Sequence, residues 1–167
     1  KIAELEVETA HGPFKLLCFE DHVNRNVHLA LVRGELDGDI PALVRVHLQS
    51  TLSDVAGIQD PRLGWPLDSA LRTIAEEGHG VLIILRQQES PRDLMQQIRA
   101  LQQPEDELLA RREPGSDLRT YGTGAQILRA LGVRRMRVLS APKQMHALSG
   151  FGLEVGAYVS SPGETSE

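Results

Sequence analysis

The sequence predicts an α/β fold of the α+β kind, with antiparallel strands first and alternating helices and strands afterwards. Up to residue 48, short segments alternate apolar and polar residues between turn residues, which is typical of half-buried strands. From residue 67 onward, amphipathic helical patterns alternate with short apolar runs, as in βαβ units. The 167 residues suit one compact domain. We expect it to span residues 1–159, followed by a disordered polar tail over 160–167.

Four strands are predicted in the N-terminal third, which is therefore expected to be antiparallel β. Ala3–Thr9 alternates apolar and polar residues, and the break at His11-Gly12-Pro13 leads to a returning strand over Phe14–Phe19, hence a hairpin. Two further strands are predicted over Val27–Arg33 and Ala42–Leu48. The stretch that follows, residues 49–66, has no clean period, and a loop of that length inside a compact domain is usually functional or vestigial.

The remainder alternates helices and strands. Leu67–Glu77 places its apolar residues on one helical face, and Gly78 follows as a C-terminal stop. The apolar run Val81–Leu85 predicts a strand covered on both faces. Further helices are predicted over Pro91–Gln102, Thr123–Leu131 and Pro142–Ser149, further strands over Met136–Ser140 and Leu153–Val159, and Pro104–Pro114 is left open between helical and mobile.

Charge and cysteine content exclude several classes of function. A net charge of −5 argues against nucleic acid or an anionic membrane as a partner, and no apolar run approaches the about 20 residues of a membrane span. The single cysteine, Cys18, cannot form an internal disulfide. One cysteine also cannot supply a zinc site that needs two or more thiolates. We therefore expect a cytoplasmic protein.

The residues themselves offer few candidates for chemistry. Six scattered histidines lack metal-ligand spacing, so packed or surface roles are expected of them. Asp117 and Arg119 could act as a general base and a phosphate ligand, or form an ordinary surface ion pair. Gly122-Thr123-Gly124 could seat an anion at the start of a helix, or simply form a turn. Arg86 follows an apolar strand, where ligands collect in open α/β sheets.

Several segments, taken in order, resemble GTP cyclohydrolase II, the zinc enzyme that opens the guanine ring at the start of riboflavin synthesis. The specific segments are DLRTYGTGAQILRALGV and IAEEGHGVLIILRQ, supported by HGPFKLLCFED, ALVRVHLQS, QIRAL, RVLSAPK and GFGLEV. The resemblance covers the chain from about Thr9 to Val155. It implies the fold of that family, usually found as a homodimer.

The resemblance also implies a Zn²⁺ held by three thiolates, and here this chain departs from the family pattern. The matching positions are Ser50, Pro61 and Leu63, of which Ser is a poor zinc ligand at neutral pH and the other two have no donor atom. No metal and no cofactor are therefore expected.

The substrate positions implied by the resemblance are partly kept. Arg45, Val46, His47 and Arg86 stand unchanged, as do Asp117, which matches the family's proton acceptor, and Arg119, which matches its nucleophile towards phosphate. A Glu-Gly-Arg run becomes Gln88, Glu89 and Ser90, and further contacts fall on Pro66, Ser140 and Gln144.

We therefore expect this chain to be a degenerate member of the family without ring-opening activity. Many members of the family that the chain resembles are fused behind 3,4-dihydroxy-2-butanone 4-phosphate synthase. The start at Lys1 fits a C-terminal piece of such a fusion, which would serve as a structural, regulatory or dimerisation module. One alternative is residual pyrophosphate release from GTP or a related nucleotide, using Asp117 and Arg119. Another is nucleotide or flavin binding without chemistry, which the excess of arginine over lysine would favour.

Overall fold

The computed structural model describes residues 1–23, 25–36, 39–60, 63–86, 89–103, 114–139 and 152–159, and of residues 114–121 it describes the backbone alone. The predicted helix Pro142–Ser149, the tail over 160–167 and almost all of Pro104–Pro114 lie outside these ranges. In the described ranges, no helix is long and apolar enough to cross a membrane.

One seven-stranded sheet organises the chain, in the order β1-β2-β3-β5-β4-β6-β7. The pairs β1–β2, β2–β3 and β3–β5 are antiparallel. The pairs β5–β4, β4–β6 and β6–β7 are parallel. The mixed α/β fold class is thereby confirmed. The strands are β1 Ala3–Thr9, β2 Gly12–Asp21, β3 Asn26–Arg33, β4 Ala42–Leu48, β5 Gly80–Leu85, β6 Arg135–Leu139 and β7 Glu154–Val159.

The expectation that the whole N-terminal third is antiparallel was wrong for β4. This strand is parallel to both of its partners, β5 and β6, and β5 lies between it and β3. The reason is the crossover through the helix that follows β4: a parallel partner requires such a connection, and a local alternation pattern carries no information about it.

In the part of the chain that the structure describes, three α-helices accompany the sheet: α1 Leu67–Glu77, α2 Pro91–Leu101 and α3 Pro114–Ala130. Gly78 ends α1 in the left-handed conformation, with φ of +78°, as its position after the apolar pattern predicts. Ser90 caps α2 in a reciprocal pair with Asp93, so the residue that replaces a family arginine has a structural role.

Helix α3 begins nine residues earlier than the predicted Thr123, so the expectation that Gly122-Thr123-Gly124 opens a helix was wrong. Glycine has a low helix propensity, so the two glycines of this stretch predict a helix boundary where none occurs. Packing outweighs that cost at Gly124, where an added Cβ would lie 3.1 Å from Val46 Cγ1 of β4.

Two apolar cores cover the two faces of the sheet. The α3 core includes Val46 and Val44 of β4 together with Ala125 and Leu128 of α3. The α1 core joins α1 to the opposite face of the sheet, through Phe14, Leu43, Trp65, Ala70, Ile74, Leu82 and Leu139. Because strand residues alternate between faces, Arg45 and His47 lie on the α1 side while Val46 lies on the α3 side.

Candidate functional site

The candidate site lies where the parallel strands β4 and β5 end, the edge at which open α/β sheets bind ligands. β4 supplies Arg45, Val46 and His47, and Arg86 follows β5 directly. Arg45 Nη1 donates to the carbonyl oxygen of Leu139 at 3.0 Å. The four positions that the resemblance implies on these two strands are thus brought to one edge.

His47 is buried and paired with a carboxylate that the sequence did not single out. Its Nε2 lies 2.8 Å from Asp54 Oδ1, and the two side chains are 2% and 11% exposed. Burial lowers the pKa of His47, more than the attraction of Asp54 raises it. A neutral ring that donates from Nε2 leaves an acceptor lone pair on Nδ1, an atom that is buried without a hydrogen-bond partner in the described structure.

Asp54 also organises the turn that contains it. Residues Thr51–Val55 form a single π-helical turn that begins after Ser50. Asp54 Oδ2 accepts the backbone N–H of Ser50 at 2.9 Å, and Oδ1 accepts the hydroxyl of Ser53 at 3.1 Å. The Ser50 hydroxyl oxygen accepts the backbone N–H of Ser53 at 3.5 Å. We call His47, Ser50, Ser53 and Asp54 the Asp54 network.

Glu89 connects the segment after β5 to this turn. Its Oε2 accepts the backbone N–H of Thr51 at 3.3 Å and the Thr51 hydroxyl at 3.2 Å. Glu89 stands where the resemblance places a glycine, which has no side chain that could make these contacts. The two loops at the ends of β4 and β5 are thereby held together.

The remaining predicted site residues are less fully described. Asp117 and Arg119 lie in the first six residues of α3, where a helical backbone separates the two positions by about 200° around the axis. Gln88, Ser140, Pro61 and Gln144 lie outside the described residues. Among the residues that are described, there is no group of three or more His, Cys, Asp or Glu side chains that could hold a metal ion.

Sequence reasoning missed Asp54, Thr51 and the role of Glu89. A local signal exists for the first: Ser50 followed by Ser53 and Asp54 has the spacing of a helix cap with acidic residues in the first turn. The contact between Thr51 and Glu89 joins residues 38 positions apart and has no local signal.

Comparison with known proteins defines the class. A sequence model of the GTP cyclohydrolase II family matches residues 1–160. The chain belongs to this family, and it is a GTP cyclohydrolase II-like domain related to riboflavin biosynthesis.

Relatives of known name are longer than this chain. The chain is 39% identical to a 3,4-dihydroxy-2-butanone 4-phosphate synthase from Pseudomonas syringae pv. tomato, over 98% of this chain and 44% of that protein. It is 39% identical to riboflavin biosynthesis protein RibBA from Chlorobium phaeovibrioides, over 93% and 39% respectively. The crystal structure of RibBX, a two-domain 3,4-dihydroxy-2-butanone 4-phosphate synthase from A. baumannii, matches with a TM-score of 0.63 and 32% identity, covering 95% of this chain and 39% of that one. The chain thus spans less than half the length of these relatives.

Proposed function

We propose that this domain has lost the zinc site and the ring-opening activity of its family, and that it serves as a structural or regulatory module. The observation that carries the proposal is the Asp54 network. At the point where the family pattern has its first thiolate, this chain has Ser50, whose hydroxyl oxygen and backbone N–H are both engaged within the turn.

The donor set does not fit zinc. Leu63 offers only hydrocarbon, and each carboxylate oxygen of Asp54 already accepts hydrogen bonds from within the network. The only thiol, Cys18, lies in β2, at a distance in sequence from the loop that follows β4. We therefore derive no reaction step that involves a metal.

Metal content and formate release test this proposal directly. The purified protein, loaded with zinc and then dialysed, is expected to retain far less than one zinc per chain and to release no formate from GTP. Cys18→Ser is the matched control, since it removes the one thiol and is expected to change neither result. One tightly held zinc per chain, or formate release above the level without protein, would overturn the proposal.

The partner we propose is a fused 3,4-dihydroxy-2-butanone 4-phosphate synthase domain. Its support is that the relatives are named as that synthase or as RibBA and are more than twice as long as the matched region. A homodimer in the cytoplasm remains our prediction, and sedimentation of the full-length protein checks the oligomeric state.

A second candidate is residual nucleotide binding with pyrophosphate release. Its support is that Arg45, Arg86, Asp117 and Arg119 are kept and that α3, which carries the last two, packs closely on β4 at Gly124. This candidate predicts pyrophosphate release from GTP that Arg119→Ala abolishes. Equal turnover by Arg119→Ala and the parent would reject it.

A further inference from the structure

A cavity of about 290 Å³ lies between the turn that joins β2 to β3 and helix α3. It is on the α3 side of the sheet, opposite the face that carries Arg45, His47 and the Asp54 network. None of its lining residues belongs to the candidate site described above, although the backbone N–H of Arg86 bonds His28. Its lining residues are Phe19, Glu20, Asp21, His22, Val23, His28, Thr123, Gln126 and Ile127.

His28 is held in one orientation and one tautomer at this cavity. The residue is 5% exposed, and its Nδ1 accepts the backbone N–H of Arg86 at 3.0 Å. Burial lowers the pKa of His28, and the Arg86 charge adds to this while Asp21 opposes it. The ring is thus neutral at pH 7, with its proton on Nε2 because Nδ1 acts as an acceptor.

The other walls combine an amide with apolar surface. The exposed Gln126 on α3 lines the cavity with a side-chain amide, whose oxygen is able to accept a hydrogen bond, and Phe19 and Ile127 are buried apolar residues of the adjoining core. Two carboxylates, those of Glu20 and Asp21, also line the cavity. They disfavour a phosphate group, since like charges repel at short range.

We propose that this cavity binds one planar, uncharged heterocycle through a lactam edge, in which a ring carbonyl lies beside a ring N–H. The carbonyl accepts from His28 Nε2–H, the N–H donates to the Gln126 side-chain oxygen, and the ring packs against Phe19 and Ile127. Ligand pockets usually start at about 300 Å³, so the volume suits a free one- or two-ring base and is small for a nucleotide. The proposal concerns a different face of the sheet and is independent of the loss of zinc.

Ligand-detected saturation-transfer NMR tests the proposal with uracil as the probe and 1,3-dimethyluracil as its matched control. The control keeps the ring and both carbonyls but has no N–H. We expect saturation transfer to uracil at millimolar concentration and a several-fold weaker effect for the dimethyl compound. Uridine 5′-monophosphate is expected to bind more weakly than uracil, because of Glu20 and Asp21. No transfer to uracil, equal transfer to 1,3-dimethyluracil, or tighter binding of the nucleotide would each overturn the proposal.

Gln126→Ala tests the geometry without disturbing the core, because Gln126 is exposed. Loss of one neutral hydrogen bond is expected to weaken uracil binding by about two- to tenfold. Gln96→Ala, the same change at an exposed position of helix α2, is the control and should leave binding unchanged. Equal affinity of the parent and Gln126→Ala would contradict the assigned acceptor. In the unmutated protein, the His28 Nε2–H resonance should shift on addition of uracil, which tests the donor without a buried substitution.

Discussion

At the scale of single residues, the Asp54 carboxylate connects the end of β4 to the turn that follows it. Asp54 accepts from a buried imidazole, a backbone N–H and a hydroxyl, all contributed by residues 47–53. Such a buried, fully bonded carboxylate is costly to alter, because removing an acceptor leaves its donors without partners. The network orders this turn through hydrogen bonds within the chain itself, which supports the proposed loss of the metal site.

Asp54→Asn therefore should lower the free energy of unfolding by about 1–3 kcal/mol. The amide keeps the size of the side chain, but it has one acceptor oxygen in place of two, and its NH₂ group accepts no hydrogen bond from Ser50 N–H, Ser53 Oγ–H or His47 Nε2–H. Urea denaturation measures the change. Asp68→Asn is the matched control. The Asp68 carboxylate pairs with His11 Nε2, but its side chain is 73% exposed, so this substitution should lower the free energy of unfolding much less. Equal losses in the two variants would contradict a special role for Asp54.

Because His28 and His47 are buried, we expect the free energy of unfolding to fall as the pH drops below about 6.5. The pKa values of His28 and His47 are lowered in the folded state, chiefly by burial, so the unfolded chain binds protons first. The stability contribution is complete above the unfolded pKa and is lost as the pH falls towards the folded pKa values. Urea midpoints from about pH 7 to about pH 5 measure how stability changes with pH. NMR titration of the ring C–H signals shows whether His28 and His47 are the groups that take up the protons. A midpoint that stays level or rises on acidification would contradict this prediction.

At the scale of elements, local patterns predicted the helices and strands well and their partners poorly. The bounds of β1, β4 and α1 agree with the predicted segments because alternation, apolar periodicity and the Gly78 stop are local properties. The insertion of β5 between β3 and β4 depends on pairings distant in sequence, which no local pattern encodes. The same holds for the candidate site: Arg45, His47 and Arg86 could be named as candidates from the sequence, but the Glu89–Thr51 contact depends on how two loops meet.

Gly80 is the residue that allows β5 to enter the sheet beside β4. An added Cβ would overlap the carbonyl oxygen of its register partner Leu43 and approach Ile74 Cγ2 of α1 to 3.2 Å. Gly80→Ala is therefore expected to cost about 3 kcal/mol of stability, since a backbone atom cannot move aside as a side chain can. Gly156→Ala in β7 is the control, because the nearest atom, the Met136 carbonyl oxygen, would be 3.8 Å away. Thermal denaturation compares the two variants, and a Gly80→Ala protein as stable as Gly156→Ala would contradict the prediction.

At the scale of the whole molecule, the proposed loss of the ring-opening site would leave the fold intact. The sheet is covered on both faces by well-packed apolar cores, so the domain keeps the architecture of its family. The Asp54 network and Glu89 connect the segments that follow β4 and β5 through hydrogen bonds. A domain with this combination can still support a neighbouring domain through its surface, and that role depends on folding and not on chemistry at the strand ends.

The full-length protein can distinguish these roles, because a structural module acts only when it is folded. Within the proposed fusion, Gly80→Ala is expected to lower synthase activity in step with unfolding of this domain, whereas Gly156→Ala leaves the activity at the level of the parent. Differential scanning calorimetry reports whether the domain is folded at the assay temperature, and synthase turnover is measured at that same temperature. Full synthase activity of Gly80→Ala at a temperature where this domain has unfolded would rule out a supporting role. The activity should return when the Gly80→Ala protein is assayed below the unfolding transition, because the substitution leaves the proposed neighbouring domain unchanged.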